Sequence, residues 1–376
     1  MFLEEFAVFV CICAKIVVLL QAFCYAYVHM YIHKHNIIMK NVFFTLLALI
    51  VSAQVVWAEV NSSTSLTTYY AAANGKSGNE LRLALQSAIN GHTVVGYKQL
   101  GYLIQWSDTE DADGTHIIDI YTNCSFTTSG AISWSSTSTV GQGLNREHTV
   151  PQSWFNEKSP MVSDAFHIYP TDCKANNNRS SYLYGECNSG SSSSSSKCKE
   201  TGKLGSSSLS GYSGTVYEPD DEYKGDIARG YFYMATRYAD QCASWSGGAF
   251  GSANNGLGNY TAELMLKWHR EDPVSEKELI RNEVIYGNTL YNKGSYKQKN
   301  RNPFIDYPEL VEYIWGNKKN VPVTITALDS PYANEDPQSI DEISLSEPTA
   351  RKIVVDGQLY IVVNEQIFDI TGKRIK

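Results

Sequence analysis

Two short segments constrain this chain more than any other feature. They are Asn145-Arg146-Glu147-His148-Thr149-Val150-Pro151, and Asp164 to Arg179 (DAFHIYPTDCKANNNR). The first sets an acid beside a histidine. On an extended segment, neighbouring side chains point to opposite sides, so Glu147 and His148 would face different environments. In the second segment, Pro170-Thr171-Asp172 has the form of a helix start. Asn176 and Arg179 are then three residues apart and share a face. The rest of the chain has to bring these two segments together.

The 376 residues give room for one large or two modest domains. Hydrophobic residues make up 43% and charged residues 19%, enough to bury a core. The formal net charge of -8 excludes a chain held to phosphate by bulk basicity. Any nucleic-acid reading must rest on local groups. Eight cysteines occur. Cys11, Cys13 and Cys24 lie in the N-terminal apolar region, and the other five are Cys124, Cys173, Cys187, Cys198 and Cys242. Cys187 and Cys198 flank a serine run and are the candidate disulfide.

The N-terminus reads as delivery. Met39-Lys40-Asn41, an apolar run from Val42 to Val56, and Trp57-Ala58 follow the grammar of a secretory signal. The expected start is Met39, with cleavage after Ala58. Phe6 to Tyr31 would then lie upstream of the true start. Its alternative, a transmembrane helix, fits poorly with its Cys, Tyr and His content.

Beyond residue 58, helical periodicity marks Leu81, Leu85 and Ile89, with Gly91 as a stop. Ile117 to Tyr121 reads as a buried strand. Ser189 to Ser196 reads as an exposed, mobile loop. Lys224 to Tyr238 predicts a helix with Ile227, Tyr231, Met234 and Tyr238 on one face. Leu257 to His269 predicts another. Ser275 with Glu278 forms a capping box opening a helix to about Leu290. Lys293 to Arg301 is basic and carries no acid. It is either a solvated loop or a phosphate-contacting one, with Lys297, Lys299 and Arg301 as contacts, as Lys174 would be beside Asn176. Pro308 to Trp315 predicts a short helix.

Taken as residue types, an acid, a histidine and an amide suit phosphodiester hydrolysis. That reaction needs an activated water and charge neutralisation at phosphorus. A histidine can take the proton of a water near neutral pH, and Glu147 and Asn176 offer oxygen ligands to a hard cation. Arg179 could meet a phosphate bidentately. The bland alternatives are a surface Glu-His pair, a helix-end asparagine, and arginines in surface ion pairs. His167 fits a core histidine better than a ligand. A zinc protease is disfavoured, because no His-Glu-x-x-His occurs.

Asn145 to Trp154, Asp164 to Pro170, Asn176 to Arg179, Gly225 to Met234 and Asn300 to Phe304 resemble, in this order, the bacterial endonuclease I family of the His-Me finger (ββα-metal) group. The resemblance spans about residues 68–316. It implies an α+β fold, a mostly helical nuclease domain built around a ββα-metal motif, and a one-metal mechanism. His148 would be the general base, and Glu147 and Asn176 the ligands of Mg2+, with Mn2+ or Ca2+ as substitutes. Products would carry 5'-phosphates, from DNA and often RNA. Some members place an arginine between the motif histidine and the metal asparagine. Thr149 to Ala175 contains none, so that role falls to Arg179 or Arg146.

Arg351 to Ile361 and Thr371-Gly372-Lys373 resemble a type IX secretion sorting domain of Bacteroidetes type. It implies partnership with that secretion machinery and removal of the tail. The expected organisation is a leader over 1–58, a nuclease domain over 59–316, a linker over 317–345 and a small all-β module over 346–376. The mature chain is expected to be a secreted or cell-surface monomer, exported through the periplasm, with no membrane span. The rival expectation is a non-catalytic surface protein that binds nucleic acid or glycans.

Overall fold

The computed structural model of the chain describes residues 66–110, 114–289, 291–333, 351–355, 358–363 and 366–369. The leader over 1–58 lies outside them. The first long helix, α1 (Gly78–Ile89), buries Leu81, Leu85 and Ile89, the expected stripe. A 3-10 turn at Tyr97–Gln99 leads into α2 (Leu100–Ser107). The Ile117 to Tyr121 segment pairs only at its start, where β1 (His116–Ile117) runs antiparallel to β2 (Phe126–Thr127). Its remainder is buried but turned. The Asp119 carboxylate accepts from the Tyr121 N–H and the Thr122 hydroxyl, an alternative to ladder pairing.

The two segments singled out above form one unit. β3 (Leu144–His148) and β4 (Ile168–Asp172) pair antiparallel, with Glu147 opposite Tyr169 and His148 opposite Ile168. α3 (Cys173–Arg179) leaves β4 directly. Asp172 caps it, accepting from the N–H groups of Lys174 and Ala175 at 2.8 and 3.1 Å. The same Asp172 holds Gly141 N–H at 2.8 Å, tying in the loop before β3.

After α3 comes a sheet of β5 (Leu183–Tyr184), β6 (Gly190–Ser191), β7 (Lys203–Ser206) and β8 (Thr215–Glu218), in the order β5-β8-β7-β6. The serine tract is pinned here rather than loose. Ser193 N–H and Asn178 Nδ2 donate to the Glu200 carboxylate. Cys198 is bonded to Cys124, 74 residues away. The expected Cys187–Cys198 bridge is therefore corrected. Cys187 is a buried free thiol whose N–H is held by Glu218 at 2.8 Å. Closeness in sequence favoured a local bridge, but the sheet carries the two apart.

The helical half is built on α4 (Lys224–Arg237), α5 (Asn259–Glu271), α6 (Glu276–Tyr286), α7 (Pro303–Asp306) and α8 (Leu310–Ile314). The Ser275–Glu278 capping box is present. α6 stops before Leu290, because Gly287 takes the left-handed conformation at φ +100°. All 14 residues of α4 are buried, not only the predicted face, because α1, α5 and α7 pack around it. Gly225 and Gly230 allow this close approach. A Cβ at Gly225 would stand 2.2 Å from the Asp272 carbonyl oxygen, and one at Gly230 3.2 Å from that of Phe166. The charge on Arg229 is matched in the core by both Glu278 oxygens, each at 2.6 Å.

The chain does not leave this core at residue 316. Val323, Ile325 and Leu328 are buried in it, and Val323 exchanges backbone hydrogen bonds with Gly75 and Lys76. Residues 317–328 thus belong to the folded unit, not to the expected linker. Near the C-terminus, β9 (Arg351–Val355), β10 (Gln358–Val363) and β11 (Gln366–Asp369) pair antiparallel in the order β11-β10-β9. Among the described residues no helix is long and apolar enough to cross a membrane. The architecture is mixed α+β, as expected.

Candidate active site

β3 alternates in the pleat, so Arg146 and His148 share one face and Glu147 the other. His148 is nearly buried, stacked on the Tyr97 ring at 5.9 Å between centroids and set edge-on to His167 at 5.5 Å. Its Nε2 lies 3.1 Å from the Val162 carbonyl oxygen. A carbonyl only accepts, so Nε2 carries the proton and donates. Nδ1 is left with the lone pair, which is the atom a base needs. Burial, and then the neighbouring His167, push the His148 imidazole down to about 3. The ring is neutral at physiological pH.

His167 is a core histidine. It is 0% exposed, and its Nε2 donates to the Met161 carbonyl at 2.8 Å. Burial pushes it down to about 4, so it stands beside His148 without charge.

On the opposite face Glu147 is 1% exposed. Its Oε1 gathers the Tyr121 hydroxyl at 2.9 Å, the Tyr184 hydroxyl at 3.4 Å and Arg179 Nη1 at 3.3 Å. Burial pushes the Glu147 carboxyl up, against the pull of Arg179 and the two phenols. Arg179 is equally buried. Its Nη1 also donates to the His148 carbonyl at 3.1 Å, its Nη2 donates to the Thr149 carbonyl at 2.5 Å, and its guanidinium lies 4.5 Å from the centre of the Tyr184 ring. A guanidinium committed in this way fixes β3 and Glu147. It cannot reach out to a substrate phosphate, so the substrate-contact roles expected of Arg179 are corrected to a positioning one.

Arg146 is differently placed. It is half-buried, its guanidinium 3.9 Å over the Tyr97 ring and 5.0 Å from that of Trp134. Nη1 donates to the Tyr97 carbonyl at 2.9 Å. Tyr97 therefore serves both Arg146 and His148.

Asn176 is brought to the same strand. Its Nδ2 donates to the Arg146 carbonyl at 3.1 Å, which leaves the amide oxygen as its acceptor. Glu147 and Asn176 are both oxygen donors, the type a hard divalent cation takes. No group of three or more His, Cys, Asp or Glu side chains suited to a metal occurs among the described residues. A cation held by Glu147 and Asn176 would complete its shell with water and phosphate oxygens. That pattern is ordinary for Mg2+, so the residues fit the group.

The basic candidates divide in the same way. Lys174 is half-exposed on α3, Lys297 half-exposed and Lys299 exposed. Arg301 is corrected: it is buried, bound through Nε to both Asp306 oxygens at 3.0 and 2.9 Å and through Nη2 to Glu283 at 2.5 Å. It braces α7 against α6 and is not a nucleic-acid contact.

Sequence reasoning missed Tyr97, Trp134, Tyr121 and Tyr184. It also missed the Asp164 hub, whose carboxylate accepts from Tyr233, Tyr238 and Gln298. These are aromatic or polar residues brought in by tertiary packing, with no local spacing to mark them. Asp119 belongs here too. It binds Thr171 and Asp172 of β4, and burial raises it to about 6.

The Endonuclease I family model matches residues 77–309, a span that holds the whole β3-β4-α3 unit. An extracellular ribonuclease of Bacillus amyloliquefaciens is 35% identical over 262 residues, covering 69% of this chain and 81% of that protein. An extracellular ribonuclease of Bacillus subtilis (strain 168) is 32% identical over 252 residues, covering 66% of this chain and 78% of that protein.

Proposed function

This chain belongs to the endonuclease I family and is a nuclease that hydrolyses phosphodiester bonds. On that premise we propose a secreted, metal-dependent endonuclease with little sequence preference, acting on DNA and RNA and leaving 5'-phosphate ends. The observation that carries this reading is the β3-β4-α3 unit. It offers a neutral histidine with its lone pair on Nδ1, and two oxygen donors borne by the same strand and the helix beside it.

In this mechanism His148 Nδ1 takes the proton of the attacking water. Arg146 meets the scissile phosphate, its flat guanidinium already braced on Tyr97 and Trp134. Arg179 holds Glu147 and the His148 backbone in register. Glu147 and Asn176 would hold Mg2+, with Mn2+ or Ca2+ as substitutes. When bound, the cation supplies charge neutralisation at phosphorus and at the leaving oxygen. Lys174, Lys297 and Lys299 meet flanking phosphates.

Secretion is supported by three features. The relatives are named as extracellular, residues 39–58 read as a signal, and a Cys124–Cys198 disulfide belongs in an oxidising compartment. The motifs in 351–373 and the β9-β10-β11 pairing support export by the type IX route, with a product trimmed at its tail. Intact mass of the secreted protein tests both ends of the chain.

Digestion of plasmid and RNA with Mg2+ or with EDTA tests the chemistry. Cleavage that needs the metal, falls sharply in Asn176→Ala and leaves 5'-phosphate ends is the expected result. Undiminished cleavage in EDTA would overturn the metal mechanism.

A further inference from the structure

We propose that the exposed pair Tyr102–Tyr296, flanked by Lys98, Lys297 and Lys299, is a stacking platform for unpaired bases of the substrate strand, favouring single-stranded over duplex nucleic acid. The proposal rests on the nuclease reading and deepens it.

Tyr102 is 51% exposed on α2, and Tyr296 is 36% exposed in the loop after α6. Large aromatic rings are normally drawn into the core. Here two of them, almost 200 residues apart in sequence, meet on the surface with centroids 5.5 Å apart and planes tilted by 34°. Every base has a π-face, so an aromatic platform binds single strands without reading their sequence. A duplex keeps its bases stacked on one another and cannot use it.

The surroundings carry the matching charge. Tyr296 stands in a run from Lys293 to Arg301 that contains no acid, in a chain of net charge -8. Lys299 is exposed and Lys297 half-exposed. Lys98 is exposed in the 3-10 turn four residues before Tyr102. None of Lys98, Lys297 and Lys299 is ion-paired to a described residue. Electrostatic attraction to a polyanion is thus available at this site, although the whole chain is acidic.

The loop is also held rigidly. Gln298 and Asn300, which alternate with these lysines, are buried. Gln298 Oε1 accepts from Ala165 N–H at 2.6 Å, and the Gln298 carbonyl accepts from Thr93 N–H at 2.7 Å. Asn300 Nδ2 donates to the Tyr233 hydroxyl at 2.7 Å. Lys299 between them adopts φ +63°, a conformation that costs a non-glycine residue energy and turns its side chain outward between two buried amides. Lys297 and Lys299 are thus presented from a fixed backbone.

The platform and the site are joined by a short stretch of chain. Tyr97, which stacks on His148 and carries Arg146, lies five residues before Tyr102. At a helical rise of about 1.5 Å per residue, that is a step of less than about 10 Å. On the proposal, a strand whose phosphate lies on Arg146 would reach the Tyr102–Tyr296 pair with a neighbouring base.

The test uses the full secreted chain with Tyr102→Ala, Tyr296→Ala and the corresponding Phe variants. Binding of a labelled single-stranded oligonucleotide is read by fluorescence anisotropy in EDTA, where no cleavage confuses it. Cleavage of single strands, of an abasic strand with the same phosphates, and of duplex is read with Mg2+. Each Ala variant should weaken single-strand binding about tenfold and raise KM for single-strand cleavage to match. The Phe variants should behave as wild type. Abasic and duplex substrates should be unaffected, which also shows that the variants fold. Equal losses on the abasic strand, or no loss on the normal one, would overturn the platform. So would unchanged strand binding joined to a change from dimer to monomer on sizing, which would make the pair a self-association surface. If the wild type failed to cleave anything with Mg2+, the nuclease mechanism would fall, while the EDTA binding series would still decide the platform.

Discussion

The two faces of β3 carry one arginine partner each, and the pair divides the labour of the site. Arg179, beneath Glu147, is buried, with both terminal nitrogens bound to a carboxylate or backbone carbonyls and a phenol ring against its face, while its Nε has no hydrogen-bond partner among the described residues. Arg146, on the His148 side, is half-buried and braced mainly by rings. A charge in the interior must be paired, and Arg179 commits both terminal nitrogens to Glu147 and to backbone carbonyls. Arg146, braced on aromatic faces, gives its Nη1 to a single protein carbonyl. In the proposed mechanism Arg179 positions Glu147 as a metal ligand, while Arg146 and His148 face the phosphate and the water.

The largest test of this division is to remove each arginine. Arg179→Ala strips the partner from a buried carboxylate, and urea denaturation should show a loss of about 3–5 kcal/mol. Arg146→Ala gives up a partly exposed ring contact and should cost about 1 kcal/mol in the same experiment, while lowering kcat/KM on phosphodiester substrates by at least about 100-fold. A stable Arg179→Ala beside an unfolded Arg146→Ala would reverse the assignment.

The Glu147 side also depends on its distant staple. Tyr121 and Thr122 lie just before Cys124, and Tyr217 links that region to Glu200 near Cys198 at 2.9 Å. Closing a 74-residue loop removes denatured-state freedom worth roughly 4 kcal/mol in the chain-entropy model. Cys198→Ser should lose most of that in thermal or urea unfolding. Cys187→Ser should lose little, since Cys187 forms no bridge. Equal losses in the two variants would restore the local pairing.

A smaller effect separates the two sides by pH. His148 and His167 sit below the ordinary histidine value of 6.5, at about 3 and about 4. The unfolded chain takes up protons as pH falls through 6.5, and the folded chain does not until those lower values. Each ring therefore withdraws stability between pH 6.5 and its own folded value. Asp119, raised to about 6, works in the opposite direction below pH 6, so net stability blurs the signal. The ring resonances themselves should be followed by NMR. Both imidazoles should remain neutral at pH 5, and titration of His148 near 6.5 would contradict its buried environment.

Local grammar made much of this legible. Asp172 as cap, the Ser275–Glu278 box, the α1 stripe and the extended Glu147–His148 pair all stand where short-range rules put them. What failed was the fate of side chains whose partners are distant or not visible as partners. Arg301 shares a basic run with Lys297 and Lys299, yet it turns inward because Asp306, five residues on, waits at the C-terminal end of α7. α4 shows an amphipathic face, yet it is enclosed because two glycines let its neighbours close around it. Tyr97 and Trp134 cross to Arg146 from other parts of the chain, and no periodicity announces such a contact.

The most direct measurement is single-turnover cleavage of a labelled oligonucleotide with Mg2+ by wild type and His148→Ala, with circular dichroism to confirm equal folding. If His148 Nδ1 is the general base, the variant should cut at least about 100-fold more slowly. A folded His148→Ala protein that cuts at the wild-type rate would contradict the site described above.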